Sequence, residues 1–414
     1  MERNLQLLTA GYAIRTFGAA IYNPFLALFL YEILHVSYLD IGIIIVGLGV
    51  FQLPFGYVGG LWTDRVGRRP LILLSLGTEA IFTAALAYGF EIRSLALCIA
   101  VAAVGGAILA ATGAAFSAYI ADLTQGSNRT LGFTWYRIGF NAGFAAGVAV
   151  GGTLVGFVGF VETVVVAAVI IAVAGTFVLA TLAPSPFDVA LRQGRAPTTD
   201  PSQPTTAPRS LRESFRLLVN DRTALLVAFA MGLVALTSNQ WNVTFSLFVH
   251  NKLGISYAVL GIGLAINGLV VVFGQSFTTH RVLGVRHTTI AILGGAFYIV
   301  AYLLLGVAAL WMIVPVALFF GAVIILTFGE NLESIPQSTL PSNLAPTGEV
   351  GSYNGAFGMF FNAAAVGATF FGGAVLQYIG NPLLEWVLLV LPAIPGAILL
   401  RLLARRIPAE ADRA

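Results

Sequence analysis

Apolar residues fill one stretch after another of about 20 positions, with brief polar interruptions, almost from one end of the chain to the other. Each stretch is long enough to cross roughly 30 Å of hydrocarbon as a helix, the conformation that satisfies every backbone N–H and C=O within the segment. The stretches are continuously apolar and lack the alternation and shortness of membrane strands. The pattern predicts an all-α membrane protein. In the first half the spans fall near 5 to 34, 38 to 63, 70 to 90, 95 to 121, 130 to 158 and 162 to 183; in the second, near 218 to 250, 256 to 280, 287 to 308, 311 to 341, 350 to 379 and 383 to 404, twelve in all.

Composition agrees with this, since 58% of the 414 residues are hydrophobic and only 9% are charged, with a mean hydropathy of +0.90 that no soluble protein needs. Glu2 and Arg3 lead into an apolar span that outruns a signal peptide and is not followed by a cleavage site and a soluble domain. Cys98 is the only cysteine, which excludes an internal disulfide and a thiolate metal site. His35, His250, His280 and His287 fall at span ends without ligand spacing, so no metal site is expected. The net charge of +3 is distributed over several loops and both chain ends, which argues against a nucleic-acid partner. The chain has no GxxxxGK[ST] loop, no HExxH and no nucleophile-base set in its spans, so it is not expected to be an enzyme.

Charge placement sets the expected topology. With the N-terminus inside, the inner segments hold Arg65, Arg68, Arg69, Arg129, the linker arginines, Arg281, Arg286, Arg401, Arg405 and Arg406, while the outer loops hold Arg93 and Lys252. That excess predicts a multi-pass protein of the cell membrane with both termini cytoplasmic. Residues 1–183 form a first six-helix half, 184–217 a cytoplasmic linker and 218–414 a second six-helix half. Residues 184–210, rich in proline, threonine and charge, read as disordered. Ser210-Leu211-Arg212-Glu213 then has the form of a capping box opening a short amphipathic helix, with Leu211, Phe215 and Leu218 on one face and Arg212 and Arg216 opposite.

The halves repeat. A shift of 219 residues pairs Asn23 with Asn242, Leu28-Phe29 with Leu247-Phe248, Leu34 with Leu253, Ser37-Tyr38 with Ser256-Tyr257, Gly42 with Gly261 and Gly49 with Gly268. A shift of 221 pairs Phe140-Asn141 with Phe361-Asn362 and Gly151-Gly152 with Gly372-Gly373. Shared apolar composition accounts for leucine matches, not for asparagines, a Ser-Tyr pair and glycine pairs in near-constant register. Two parallel repeats predict a transporter with its substrate site near mid-membrane, where the halves face each other.

Between the second and third spans, residues 60 to 69 read GLWTDRVGRR. An inner loop is basic in any case, but that leaves Gly60, Asp64 and Gly67 unexplained. Gly60 permits close helix approach, Gly67 a tight turn, and Asp64 can pair with an arginine or face a helix N-terminus. The pattern G-x-x-x-D-R-x-G-R-R resembles the signature loop of the major facilitator superfamily of transporters. The resemblance implies that superfamily's fold of twelve transmembrane helices in two pseudo-symmetric halves, and alternating-access transport. Arg137 and Asn141, with Gly143, match an R-x-x-x-N-x-G pattern of the family's fifth helix. Asp122 and Arg129 resemble a D-x(6)-R motif near its cytoplasmic gate, the alternative being an ordinary solvated loop. The run from Gly143 to Gly152 resembles an antiporter motif with Val148 in place of its proline, although small residues so spaced pack helices in any membrane protein. Gly329-Glu330, Pro336 and the run from Gly351 to Gly355 look like the corresponding stretch of twelve-span drug:proton antiporters, where the matching glutamate is implicated in proton or cationic-substrate handling.

Ionisable residues inside the spans cost a few kcal/mol each unless paired or wetted, which makes them the leading functional candidates. They are Arg15, Glu79, Arg137, Glu330 and Glu333. Glu330 and Glu333, three apart, share a helix face and form a possible coupled carboxyl pair. Apolarity alone would end their span near Phe328, whereas the repeat sets Glu330 against Leu109 in the middle of span 4, and the deeper placement is adopted. Such a carboxyl can alternate between protonated and charged states; the plainer alternative is an arginine pair that locks helices. Arg15 and Arg137 lie about two turns from a span end and can snorkel, or Arg137 can pair with a buried acid. Glu79, on a span that is peripheral in this fold, reads as a structural hydrogen-bonding residue. Asn23, Gln52, Asn239, Gln240, Trp241, Asn242, Asn267, Asn331 and Asn362 offer hydrogen bonds and stacking to an amphipathic or apolar substrate, or simply join helices.

The expectation is a secondary transporter exporting small lipophilic or cationic compounds against proton entry, with Glu330 the leading proton acceptor and Glu333 or Arg137 tuning it. It needs no cofactor beyond the proton motive force. Its partners are a small-molecule substrate, protons and the bilayer, and it is expected to be a monomer. The alternatives are an importer or facilitator of sugars, organic acids or amino acids, and a non-transporting receptor or scaffold. The second-half counterpart of the signature loop, Gly274 to Arg286, lacks the aspartate and has His280 or its neighbour in its place. Arg69 completes the gating motif, and Asp64, with Arg65 and Arg68, is therefore expected to stabilise cytoplasmic closure by contact with a second-half helix. Asp64→Asn should favour inward opening, and unchanged labelling of the cytoplasmic cavity in that variant would refute the assignment.

Overall fold

The computed structural model describes residues 3–124, 127–194, 220–241, 243–312, 314–346 and 350–413, with the side chains of 56–58, 60, 61, 64, 127–131, 351 and 352 outside the description. Among the described residues it contains twelve helices long and apolar enough to cross a membrane. They begin with Arg3–Glu32, which Asn23–Phe25 breaks into α1 (Arg3–Tyr22) and α2 (Leu26–Glu32). Pro24 has no N–H to donate, so the chain tightens there into a single 3₁₀ turn. The remaining helices of the first half are α3 (Tyr38–Val66), α4 (Arg68–Glu91), α5 (Leu95–Leu123), α6 (Ser127–Val158) and α7 (Phe160–Thr181), followed by the short α8 (Pro186–Arg192).

The second half repeats the order. Its first span is broken at Asn239–Trp241 into α9 (Arg222–Ser238) and α10 (Thr244–Asn251). It continues through α11 (Tyr257–Arg281), α12 (His287–Trp311), α13 (Pro315–Leu344) and α14 (Val350–Tyr378) to a last span made of α15 (Pro382–Val390) and α16 (Ala393–Leu403). The predicted spans all appear, displaced by a few residues at their ends. The repeat extends to single hydrogen bonds. Val36 N donates to Leu30 O and Ile255 N to Val249 O; Ile33 N donates to Phe29 O and Lys252 N to Phe248 O. Each member of these pairs is 219 residues from its mate, the register found in the sequence.

The structure divides into two compact units, one made of Met1–Val36, Ile44–Gln203 and Ser256–Gly268, the other of Ser37–Ile43, Pro204–Ile255 and Leu269–Ala414. In the first, Leu5, Leu8, Leu71, Ile72, Leu76, Phe116 and Tyr119 pack into a buried core between α1, α4 and α5. In the second, Val227, Met231, Val234, Phe357, Leu400 and Leu403 do the same between α9, α14 and α16. Several of the paired glycines serve close helix approach, whereas Gly49 faces open space. Gly152 lies against the Tyr257 carbonyl within the first unit and Gly373 against the Tyr38 carbonyl within the second, and neither position leaves space for a Cβ.

The most consequential local device is an aspartate that caps a distant helix. The backbone N–H groups of Arg68 and Arg69, unpaired at the start of α4, donate to Asp188 Oδ1 and Oδ2 at 2.6 and 3.1 Å. In the second unit the Thr288 N–H donates to Asp412 Oδ1 at 2.9 Å, its hydroxyl to Oδ2 at 2.8 Å, and the His287 N–H to the Asp412 carbonyl at 2.6 Å. Both aspartates are buried, and each follows the sixth span of its half. The reading of 184–210 as disordered is corrected at its start, where residues 186–192 are helical. Ser185 and Asp188 form a capping box and Pro186 is pre-set for the first helical turn. The amphipathic helix expected from Ser210 lies outside the described residues.

Asp188→Ala and Asp412→Ala should each cost about 0.5–2 kcal/mol of stability by removing a cap. Thermal melting checks the cost, and amide exchange should speed up locally, at residues 68–69 in the first variant and 287–288 in the second.

Candidate functional site

Two span ionisable groups of the first unit, Arg15 and Glu79, are paired with each other. Arg15, midway along α1, donates from Nε and Nη2 to the two carboxylate oxygens of Glu79 on α4, both at 2.7 Å. Glu79 is 4% exposed and Arg15 21%, and the guanidinium lies 5.5 Å from the centre of the Tyr12 ring, itself stacked on Tyr136 at 4.2 Å. Snorkelling is thus corrected for Arg15, whose guanidinium is held by a carboxylate of another helix. The bidentate geometry fixes α1 against α4 and keeps both charges balanced, consistent with the structural reading of Glu79.

The signature loop is also wired within its own unit. Gly67 adopts a φ of +99°, the left-handed turn that a glycine is needed for. Arg68, 7% exposed, donates from Nε to Asp122 Oδ2 at 3.3 Å and from Nη1 to the Thr63 carbonyl at 2.5 Å, and stacks over Phe187 at 3.7 Å. Asp122 also accepts from the Ser185 hydroxyl at 2.9 Å. Arg69 donates to the Leu182 and Leu179 carbonyls at 2.6 and 3.0 Å, and Arg65 is exposed. Asp122, Thr63 and Phe187 all belong to the first unit. The side chains of Gly60, Asp64 and Arg129 lie outside the described residues.

The second unit holds a different kind of site. Glu330 and Glu333 lie near the middle of the 30-residue α13, the depth expected from the repeat. Gly329 of α13 lies against the Gly294 carbonyl of α12, an approach that a Cβ on either glycine would crowd. This closeness brings Tyr298 and Tyr302 of α12 beside the carboxyls. Glu333 is 5% exposed. Its Oε1 accepts from Gln337 Nε2 at 3.0 Å and lies 3.3 Å from the Ser238 hydroxyl, and Tyr298 donates a further bond. The Tyr302 hydroxyl donates to the Ser238 carbonyl at 3.2 Å. Glu330 is half-buried on the same helix. Among the described residues no arginine, lysine or histidine lies within ion-pair distance of Glu333. Another buried acid of this unit, Glu385, does have a cation, with Lys252 Nζ 3.3 Å from Oε1.

The other candidates are dispersed. Arg137 is exposed on α6, so the buried acid pair expected for it is not found among the described residues. Asn141 is half-buried on α6, Asn362 exposed on α14 and Asn23 exposed in the 3₁₀ turn after α1. Gln240 is fully buried and closes the break after α9, donating to the Leu236 carbonyl and accepting from the Thr244 hydroxyl. Trp241 packs on Phe245 at 4.3 Å, and Asn242 lies outside the described residues. Sequence reasoning missed Ser238, Tyr298, Tyr302 and Gln337. Only Gln337, one turn beyond Glu333 on a helix, carried a spacing signal.

Compared with known proteins, the sequence matches the family model described as Major Facilitator Superfamily over residues 8–369. It is 24% identical over 399 residues to an uncharacterized MFS-type transporter, YttB, of Bacillus subtilis (strain 168), covering 94% of this chain and 93% of the relative. It is 37% identical over 111 residues to the class D tetracycline resistance protein of Salmonella ordonez, covering 27% of each. The crystal structure of the nucleoside transporter NupG has the same fold, with a TM-score of 0.74 at 16% identity over 98% of this chain and 100% of that one.

Glu79→Leu should cost about 3–5 kcal/mol, because it leaves the Arg15 charge unbalanced in the apolar layer. Adding Arg15→Met should restore most of the loss, and a thermal-melting double-mutant cycle measures the coupling.

Proposed function

The chain belongs to the major facilitator superfamily, and on that footing we propose that it exports small lipophilic or cationic compounds in exchange for protons, by alternating access, from a cell membrane with both termini cytoplasmic. The observation that carries the reading is the Glu333 carboxyl. It is buried in a membrane-spanning helix and held by neutral donors from three helices, and the described residues place no cation beside it. An ionised carboxylate there carries an uncompensated charge, which either a bound proton or a cationic substrate removes. Two ligands that each satisfy one charge exclude one another, and mutual exclusion is what exchange requires. The partial likeness to a tetracycline resistance protein supports the export direction.

In this reading the proton acceptor is Glu333 rather than the first-ranked Glu330. Glu330 sits one turn away as the second carboxyl, and their proximity makes their proton occupancies interdependent. Glu79 has no such role, since Arg15 balances it in place.

Proteoliposomes loaded with a compound panel and subjected to an imposed pH gradient test the proposal. Wild-type protein should move a substrate against its gradient when protons flow the other way. Glu333→Gln should retain downhill flux but lose the acceleration by the pH gradient, and intact coupling in that variant would overturn the proton-acceptor assignment.

A further inference from the structure

An apolar groove runs along the seam of α4 and α7 in the first unit. Leu73, Leu76, Gly77 and Ile81 of α4, with Gly175 and Leu179 of α7, enclose about 340 Å³. Leu76 is fully buried and forms the floor, while Ile81 and Leu179, 67% and 57% exposed, stand out at opposite ends. Gly77 keeps the middle open, since a Cβ there would meet nothing within 4 Å. Thr176 also lines the groove, and its hydroxyl donates to the Ala172 carbonyl of its own helix at 2.5 Å. The groove therefore leaves a guest no side-chain hydrogen bond to make, and hydrocarbon suits it better than a polar ligand.

A cation closes one end. Arg69 lies one turn before Leu73 on the same face of α4. Its half-buried guanidinium crosses to α7, donating from Nε to the Leu182 carbonyl at 2.6 Å and from Nη2 to the Leu179 carbonyl at 3.0 Å. Leu179 is thus both a wall of the groove and an acceptor for the guanidinium, which puts the charge at the groove's mouth. Arg15 and Arg68 each hold a carboxylate. Arg69 has none within ion-pair distance among the described residues, and its Nη1 is left without an acceptor among them. Its backbone N–H is already taken by Asp188, so the side chain alone is on offer.

We propose that this groove binds one anionic phospholipid of the bilayer, an acyl chain lying between α4 and α7 and the phosphate paired with the Arg69 guanidinium. The dimensions agree. Arg69 and Ile81 are twelve residues apart on one helix, about 18 Å at 1.5 Å per residue, which is a little over half of the roughly 30 Å hydrocarbon layer. That is the reach of a lipid chain from its phosphate into one leaflet. Arginine offers planar N–H donors that match phosphate oxygens, and a basic site at the end of membrane-spanning helices selects headgroups of net negative charge. Phosphatidylcholine fills the same groove but carries its own cation. Arg69 follows the Gly67 turn, so the bound lipid steadies the loop that Asp188 caps.

Native mass spectrometry of the full chain in detergent, titrated separately with dioleoyl phosphatidylglycerol and dioleoyl phosphatidylcholine, tests this. Wild-type protein should take up its first phosphatidylglycerol about tenfold more tightly, the worth of one charge-assisted hydrogen bond. Arg69→Gln should bring the two lipids within about twofold of each other. Gly77→Leu fills the groove at an open position with a good helix former, and should weaken the first phosphatidylglycerol about tenfold. It reads the site even where loss of the Arg69 contacts unfolds the chain. Glycerol 3-phosphate, the headgroup chemistry without a chain, should displace no lipid. Equal binding of the two lipids by wild-type protein, a preference surviving in Arg69→Gln, or unchanged uptake in Gly77→Leu would each overturn the site, and displacement by glycerol 3-phosphate would assign Arg69 to a free phosphate instead. The readout is bound lipid rather than flux, so its failure leaves proton-driven export standing.

Discussion

Charge buried among helices has to be answered by charge nearby, and the answers in this chain tie its helices together. Glu79 answers Arg15, Asp122 answers Arg68, and Lys252, the sole lysine of the chain, lies beside the fully buried Glu385. Each pair joins helices far apart in sequence, so it fixes a register that hydrophobic contact, being non-directional, leaves open. Glu333 departs from this economy. It receives hydrogen bonds but no countercharge among the described residues, and that departure gives the second half its chemical character while the first half has its rigid wiring.

The halves share a scaffold and part in their side-chain chemistry. The breaks after α1 and α9, the hydrogen bonds 219 residues apart and the aspartate caps recur because they satisfy backbone groups, which every sequence carries. Side-chain chemistry was freer to diverge. The positions that start α4 are Arg68 and Arg69, whereas those that start α12 are His287 and Thr288, yet both pairs present the same two N–H groups to an aspartate.

Fold and repeat were legible in the sequence because hydropathy and register are properties of order along the chain. Lateral partnership is not. Arg15 and Glu79 are 64 residues apart, and nothing in the spacing of either says that their helix faces turn towards one another. Likewise, the choice between Glu330 and Glu333 depends on how α13 is rotated against α12, which the Gly294–Gly329 approach decides. The proline-rich composition after the sixth span hid Asp188, because composition averages over a segment in which a single Ser185-to-Asp188 box is enough to start a helix.

The Asp412 contact has a mechanical side. The chain beyond the last span is clasped to the start of α12 by Asp412 and by an isolated bridge between Arg286 and Arg413. Force applied at residue 413, by a fused domain or an unfoldase, therefore does not simply peel the final helix from the edge of the bundle. It loads two helices at once, and the tail behaves as a tether under shear whose release frees the third helix of the second half together with the sixth.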